Sequence, residues 1–263
     1  MNTAPVDEKS PLSVYVDTAE QRRNMTAARA ALVSSCMRRL GFTDFKTVES
    51  KEAGPELITS RRYLYIEPAR AARNGYAVEP DPTSRNRPTE EQVRAVPMEE
   101  RRALTGGGVT LSSGVKAPEG GCTREAGQIL SSKAPRANRL LVWQLMAKAA
   151  ASARKDAEVM RAATDWSACM KQGGYAYATP EEAWNDSRWG RQPVAAVSEE
   201  ERKVATADME CKDRSGYAVR LSEAQIANEK QLLEQHADEL KALARNREAL
   251  LRNTEILLQG GRP

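Results

Sequence analysis

The sequence predicts an all-α protein of two diverged halves, stapled by disulfide bonds and ending in a long helix. Three observations favour this fold. Three long runs of the 263-residue chain contain neither glycine nor proline and repeat apolar residues at helical spacing. Four cysteines lie far apart, and none of them forms a Cys-x-x-Cys pair. A short cysteine motif occurs twice, each time at the predicted end of a helix.

The first run, residues 18–40, is predicted to be an amphipathic helix. Its apolar residues recur at the spacing of one helix face: Met25, Ala28, Leu32, Cys36 and Leu40. Gly41 follows at the position where a left-handed backbone ends many helices, because glycine adopts that backbone without strain. Residues 1–17, which precede this run, are predicted to be a flexible lead-in.

The second run, residues 136–172, predicts either one helix of about ten turns or two helices joined by a kink. Gly173 ends it. Ser198, followed by three glutamates, is typical of a helix start, and Gly216 interrupts the helix that follows. A shorter helix is predicted to begin near Pro97.

The third run, residues 221–259, predicts one long helical rod of about 57 Å. A heptad pattern gives it a leucine-rich seam that is interrupted by Lys230 and Arg247. The leucines of this candidate partner-helix surface are Leu233, Leu240, Leu243, Leu250, Leu251 and Leu258. Two interpretations remain open: the helix packs along residues 136–172, or part of it projects and binds a helix of another envelope protein.

The repeated motif reads Cys-Met-x-x-x-Gly-aromatic, at residues 36–42 and again at residues 169–175. Each copy ends a predicted helix and precedes a second cysteine in another predicted helix. The thiol is expected to face inward, with the glycine reversing the chain and the aromatic ring covering the helix end. This repeat divides the chain into halves at 18–135 and 136–220, followed by the long helix at 221–259.

Pairing within each half predicts two disulfides, Cys36 with Cys122 and Cys169 with Cys211. Loop-closure entropy gives such bonds about 4 to 4.6 kcal/mol each, before any strain is subtracted. The alternative is four buried thiols, since cysteine also behaves as a small apolar residue.

Four stretches of the chain carry a resemblance to a known family: 31–37 with Gly41-Phe42, 120–126, 166–170 with Gly174-Tyr175, and 207–212. In these stretches the chain resembles actinobacterial, chiefly streptomycete, exported proteins and lipoproteins of unassigned function. The resemblance covers about residues 18–258. It implies an exported, disulfide-linked helical protein and no known activity.

The amino-terminal residues alone do not determine the compartment of the protein. Met1–Pro5 leads into a polar stretch without the apolar core of a signal peptide. The protein is therefore either cytoplasmic or a mature segment with a starting methionine, and the cysteines favour the second, an extracellular or cell-envelope protein. No apolar window is long enough to predict a membrane-spanning helix, so membrane attachment is expected only through a lipid anchor outside this chain.

The charged residues and the single histidine exclude several classes of function. The chain has 40 basic and 36 acidic residues, a balance that does not favour nucleic-acid binding. His236 is its one histidine, which excludes His-cluster metal sites and most histidine-dependent catalysis. His236 is expected to be a surface or seam residue. No cofactor and no metal are expected. The carboxylate pairs at Glu181-Glu182 and Glu199–Glu201 are expected to complement helix dipoles in first turns.

The best candidate for a ligand site is the loop with Trp184, Arg188, Trp189 and Arg191. Two tryptophans with arginines between them are typical of a site that stacks on a sugar ring or holds an anionic group. The alternative interpretation is that both tryptophans cover the small helical core.

These observations predict a non-enzymatic secreted or cell-envelope protein that acts by binding. One alternative is an accessory subunit of an envelope transporter or export machine that docks through its carboxy-terminal helix. The other is an envelope hydrolase that uses carboxylates. A cleft with two close carboxyls of raised pKa would favour the hydrolase.

Overall fold

The computed structural model describes residues 10–45, 63–77, 97–106, 108–189 and 197–263, and in these ranges the fold is all-α. A 3₁₀ helix at Pro11–Tyr15 precedes the α-helices. These are α1 (Ala19–Arg39), α2 (Pro68–Asn74), α3 (Met98–Thr105), α4 (Gly121–Leu130), α5 (Leu141–Ala153), α6 (Ala157–Gln172), α7 (Pro180–Trp184), α8 (Glu199–Ser215), α9 (Tyr217–Gln235) and α10 (Ala237–Leu258). The predicted fold class is confirmed.

The two copies of the cysteine motif end α1 and α6 with the same hydrogen bonds. The Phe42 amide donates to the Met37 carbonyl at 3.0 Å, and the Tyr175 amide donates to the Met170 carbonyl at 2.9 Å. The preceding glycines have φ of 99° and 88°, a backbone that favours glycine. Both helices therefore end in a Schellman motif, and both aromatic rings pack against the neighbouring core, as the repeat predicts.

The second run of the sequence forms two helices. α5 ends at Ala153, and α6 begins at Ala157 behind Asp156. The Asp156 carboxylate accepts hydrogen bonds from the amides of Glu158 and Val159 at 2.8 and 3.3 Å. This capping fixes the break, because it satisfies amides that have no partner within the helix.

The third run is not one continuous rod, so the prediction of a single long carboxy-terminal helix is wrong. His236 has φ −115° and ψ 26°, which ends α9, and α10 starts at the next residue. Neither glycine nor proline marks this break in the sequence.

The chain divides into two compact units, each built from three segments. Unit 1 comprises Met1–Ser13, Glu52–Thr83 and Leu140–His236, and unit 2 comprises the rest of the chain. The predicted halves are consecutive segments, whereas these units interleave in the sequence.

The described part of the predicted lead-in is folded: Leu12 is fully buried, and Asp17 forms an ion pair with Arg247 within unit 2.

Unit 2 is built on α1, α4 and α10, with α3 packed beside α4. The Cys36–Cys122 disulfide joins α1 to α4. Gly121 opens α4 where the backbone of α3 comes so close that a Cβ would lie 2.5 Å from the Leu104 carbonyl oxygen. Asn253 on α10 donates to the carbonyls of Leu130 and Ser132, each at 2.8 Å, and so binds the end of α4.

Unit 1 is built on α6 and α8, which the Cys169–Cys211 disulfide joins. α9 packs on α5 and α6, which confirms for this part of the chain the predicted packing along residues 136–172. Trp166 and Met170 lie fully buried at the centre. Both predicted disulfide pairings are therefore present, one in each unit.

Candidate functional site

The two tryptophans of the predicted ligand loop pack into the core of unit 1. Trp189 is 3% exposed, and its indole N–H donates to the Ala183 carbonyl at 2.8 Å. Its ring stacks on Tyr76 with centroids 6.2 Å apart, and half-buried Trp184 meets the same ring edge-on at 5.3 Å. This is the placement that the core interpretation predicts. Arg191, the fourth member of the candidate site, lies outside the described residues.

Arg188 is held by neighbouring side chains. Its guanidinium forms ion pairs with Asp186 at 2.7 Å and with Glu200 at 2.5 Å, and it lies 4.4 Å from the centre of the Trp189 ring. It also donates to the Tyr177 hydroxyl at 2.7 Å. The hydrogen bonds from Arg188 hold the pKa of Asp186 well below its usual range. An anionic ligand would therefore have to displace two carboxylates.

A polar network lies at the centre of unit 1. The carboxylate of Asp208 accepts hydrogen bonds from the Trp166 indole at 2.8 Å, the Tyr76 hydroxyl at 3.0 Å and the Lys212 ammonium at 2.8 Å. Lys212 also donates to the Leu64 carbonyl. Burial raises the pKa of Asp208 and lowers that of Lys212, while each partner's charge opposes the shift of the other.

Two carboxyls of unit 1 have a raised pKa, and both contact Tyr76. Glu201 accepts a hydrogen bond from the Tyr76 amide at 3.0 Å, and burial raises the pKa of its carboxyl. Glu201 is 3% exposed and Asp208 is fully buried. The hydrolase alternative needs such carboxyls in an open cleft, and here they are covered by core side chains.

Hydroxyl side chains cap the first turns of α7 and α8. At the start of α7, the Glu182 amide donates to the Thr179 hydroxyl at 3.3 Å, while the Glu182 carboxylate accepts from the Ala178 amide at 2.9 Å. At the start of α8, the Glu201 amide donates to the Ser198 hydroxyl at 3.0 Å. The Glu182 carboxylate thus binds the amide of the residue before Thr179, in the manner of a capping box, and the complementing of helix dipoles by the carboxylates of these turns stays a prediction.

The six leucines of the candidate partner-helix surface do not share one helix. Leu233 lies on α9 in unit 1, and the other five lie on α10 in unit 2. On α10, which packs on α1 and α4, Leu240, Leu243 and Leu250 are buried, whereas Leu258 is 48% exposed. The six leucines therefore do not form one continuous seam, and three of them are buried; the binding of a partner helix stays a prediction.

An open groove in unit 2, with a volume of about 680 Å³, lies between α1 and α4. The face of α1 that lines it carries small residues at helical spacing: Ala28, Ala31 and Ser35. Larger apolar side chains, Leu32, Ile129 and Leu257, also line the groove, together with polar Gln128 and Ser132. The carboxy-terminal residues from Gly260 to Pro263 line another side. The volume falls within the range of ligand-binding pockets.

The walls of this groove are joined covalently and by an ion pair. Cys36 and Arg39 lie at the end of α1, and their partners Cys122 and Glu125 lie in the first turns of α4. One nitrogen of the Arg39 guanidinium donates to both Glu125 carboxylate oxygens, at 2.7 and 2.8 Å. The two helices are thus fixed at one end, and the apolar lining extends away from this charged pair.

Sequence reasoning missed the groove, although one signal for it is present in the α1 sequence. Ala28, Ala31 and Ser35 lie one or two turns apart, so they share one face of α1. Their small side chains leave space beside this face. What the sequence does not carry is the position of α4 and of the carboxy-terminal residues, which come from distant parts of the chain.

Comparison with protein families, with curated proteins and with solved structures gives no match for this chain. Within the described ranges, no helix combines the length and apolar character needed to cross a membrane. The same residues contain no cluster of histidine, cysteine and acidic side chains suited to a metal ion. The two disulfides indicate a non-reducing environment of the extracellular type.

Proposed function

We propose that this protein is secreted or held in the cell envelope, and that it acts by binding another envelope protein without catalysing a reaction. The observation that carries the proposal is the open groove between α1 and α4, whose walls are joined by the Cys36–Cys122 disulfide. A rigid, partly apolar groove favours binding because little conformational entropy is lost when a partner enters it.

The location rests on the disulfides and on the resemblance to actinobacterial exported proteins. Each disulfide joins two packed helices, and such bonds persist in oxidising compartments. The family resemblance favours the same compartment. A lipid anchor outside this chain is compatible with both.

The partner is expected to present an apolar segment with polar flanks. The small side chains of α1 leave space for bulky apolar groups, and Leu32 and Ile129 offer them apolar contacts. The exposed guanidinium of Arg39 at the end of the groove offers a contact for a polar flank. This use of α1 and α4 replaces the carboxy-terminal helix as the docking element, because Leu240, Leu243 and Leu250 are buried.

Site-specific photo-cross-linking in intact cells tests the proposal. The protein is exported behind a signal sequence, with a compact diazirine amino acid in place of Ser35 in the groove or, as the control, of exposed Gln172 on α6. We expect a discrete cross-linked band from the Ser35 position and none from the Gln172 position. Ala31→Trp fills the groove from an exposed position and should remove the band without lowering the melting temperature.

Equal bands from both positions would show that the groove has no special role. A band that persists in the Ala31→Trp background would show that the partner binds elsewhere. Either result contradicts the proposed function.

A further inference from the structure

The first two turns of α5 are apolar except for exposed Gln144. Residues 140–147 read Leu-Leu-Val-Trp-Gln-Leu-Met-Ala and contain no charge. One side of the helix is buried and packs in unit 1, through Leu141, Val142 and Leu145. On the other side, Leu140 is 64% exposed and Trp143 is 48% exposed. Two large apolar side chains exposed next to each other at the start of one helix form a surface suited to an apolar partner.

Trp143 differs in this respect from the other tryptophans of the chain. Trp166 and Trp189 are buried, and Trp184 is half-buried within the aromatic core. The Trp143 face continues along α5 through exposed Ala147 and Ala151, so no carboxylate interrupts it. An exposed tryptophan on such a face is typical of a helix at a membrane interface, where the ring has apolar and polar surroundings at once.

The charges in this part of the chain have a single sign. Residues 140–155, at this end of unit 1, contain no aspartate or glutamate and three basic residues, of which Arg154 pairs with Glu181. Two of these, Lys148 on α5 and Lys155 just after it, are exposed. Basic side chains beside an apolar helix face favour anionic lipid headgroups.

The length of α5 determines how it meets a bilayer. Its 13 residues span about 20 Å, which is too short for a hydrocarbon core of about 30 Å. The helix therefore suits a position in the plane of the headgroups rather than across the membrane.

We propose that α5 binds the surface of a membrane that contains anionic lipids, inserting Leu140 and Trp143 among the headgroups and placing Lys148 and Lys155 near phosphate groups. The proposal goes beyond the groove and does not depend on it, because it uses a different unit and a different ligand. It adds a protein-encoded mode of membrane attachment to the lipid anchor that the sequence left open.

Vesicle co-sedimentation of the full, disulfide-bonded chain tests the proposal. The probes are vesicles of phosphatidylcholine alone and vesicles that also contain phosphatidylglycerol. We expect clear binding to the anionic vesicles and much weaker binding to the neutral ones. Leu140→Ser combined with Trp143→Gln should weaken binding to anionic vesicles by about tenfold or more. The first change places a good helix N-cap residue at the N-cap position, and the second keeps a good helix former, so both are compatible with folding.

Two further variants test the parts of the proposal separately. Lys148→Gln and Lys155→Gln should each weaken binding to the anionic vesicles by about fivefold and leave binding to neutral vesicles unchanged. Leu258→Gln is the matched control, because Leu258 has the same exposed fraction as Trp143 and lies on α10. It should bind as the unchanged protein does.

Several outcomes would overturn the proposal. These are no binding to anionic vesicles, equal binding to both vesicle types, or an equal loss in the Leu258→Gln control. If light scattering shows an oligomer that the Leu140→Ser, Trp143→Gln variant dissociates, the face is a protein–protein interface and the membrane proposal is wrong. Peptide mapping of the disulfides and thermal melting establish that each variant is folded.

Discussion

Lys212 and Asp208 form an ion pair in which neither side chain has any exposed surface, with Nζ 2.8 Å from Oδ2. The pair lies one turn apart on α8, and its other hydrogen bonds reach Trp166 on α6, Tyr76 after α2 and the Leu64 carbonyl. Because these groups come from two of the three chain segments of unit 1, the pair joins those segments at the centre of the core.

Removing one member of this pair should be strongly destabilising. We expect Lys212→Met to cost about 3–5 kcal/mol, because it leaves the Asp208 carboxylate buried without its countercharge. Urea denaturation followed by circular dichroism measures the loss. The matched control is Lys203→Met, which breaks the exposed Lys203–Glu199 pair at the same spacing on the same helix and should cause no measurable change. Equal losses in the two variants would contradict the central role of the buried pair.

The sequence cannot distinguish these two pairs. Each has a carboxylate four residues before a lysine on α8, and such a pattern normally indicates a solvated helix face. The buried pair differs from the exposed one through its tertiary contacts: Tyr76 donates a hydrogen bond to Asp208 from more than a hundred residues away in the chain. Tertiary contacts of this kind leave no local signal.

Helix ends could be predicted where a residue with special backbone or capping chemistry marks them. Gly41 and Gly174 predict the Schellman ends of α1 and α6, and Ser198 predicts the start of α8. Asp156 is a typical helix N-cap residue, but it lies inside a long run without glycine or proline. The position of the break before α6 is therefore not apparent from the sequence. The break at His236 has no such residue, so the predicted rod was too long.

The disulfides should contribute similar stability, although they close loops of different length. Cys36 and Cys122 are 86 positions apart, and Cys169 and Cys211 are 42 apart. Loop-closure entropy gives about 4.6 and 4 kcal/mol, so Cys122→Ser and Cys211→Ser should each destabilise the protein by about 4 kcal/mol. Non-reducing peptide mapping must first link these pairs in the unchanged protein. Links between the two pairs, or free thiols in exported protein, would show that the repeat does not set the pairing.

Stability should fall in alkali because burial favours neutral tyrosines. Burial and acidic neighbours raise the pKa of Tyr65, Tyr76 and Tyr217, and they raise the pKa of Tyr177 to about 12. An unfolded tyrosine ionises near pH 10. The stabilisation is therefore complete below pH 10 and is lost as the pH rises above it, because the unfolded chain then releases protons that the folded protein retains.

The variant Tyr65→Phe tests whether the raised pKa of a tyrosine lowers stability in alkali. Tyr65 donates a hydrogen bond to Asp213 at 2.9 Å, so the variant should lose about 1 kcal/mol at neutral pH. Since phenylalanine does not ionise, the gap between the melting temperatures of the variant and the unchanged protein should narrow above pH 10. Curves that stay parallel up to strong alkali would show that the Tyr65 pKa is not raised by folding.

The leucines of α10 should act as core residues of unit 2 rather than as a surface for a partner helix. Leu240 has no exposed surface, so Leu240→Ala should cost about 2–5 kcal/mol in urea denaturation. Leu258, which is 48% exposed, provides the control on the same helix, and Leu258→Ala should leave the unfolding midpoint unchanged. Neither change should alter the mass measured by light scattering, because Leu240 is already buried within the chain and α10 packs on α1 and α4. If Leu240→Ala leaves the unfolding midpoint unchanged but dissociates a complex, then another molecule and not unit 2 buries this face of α10.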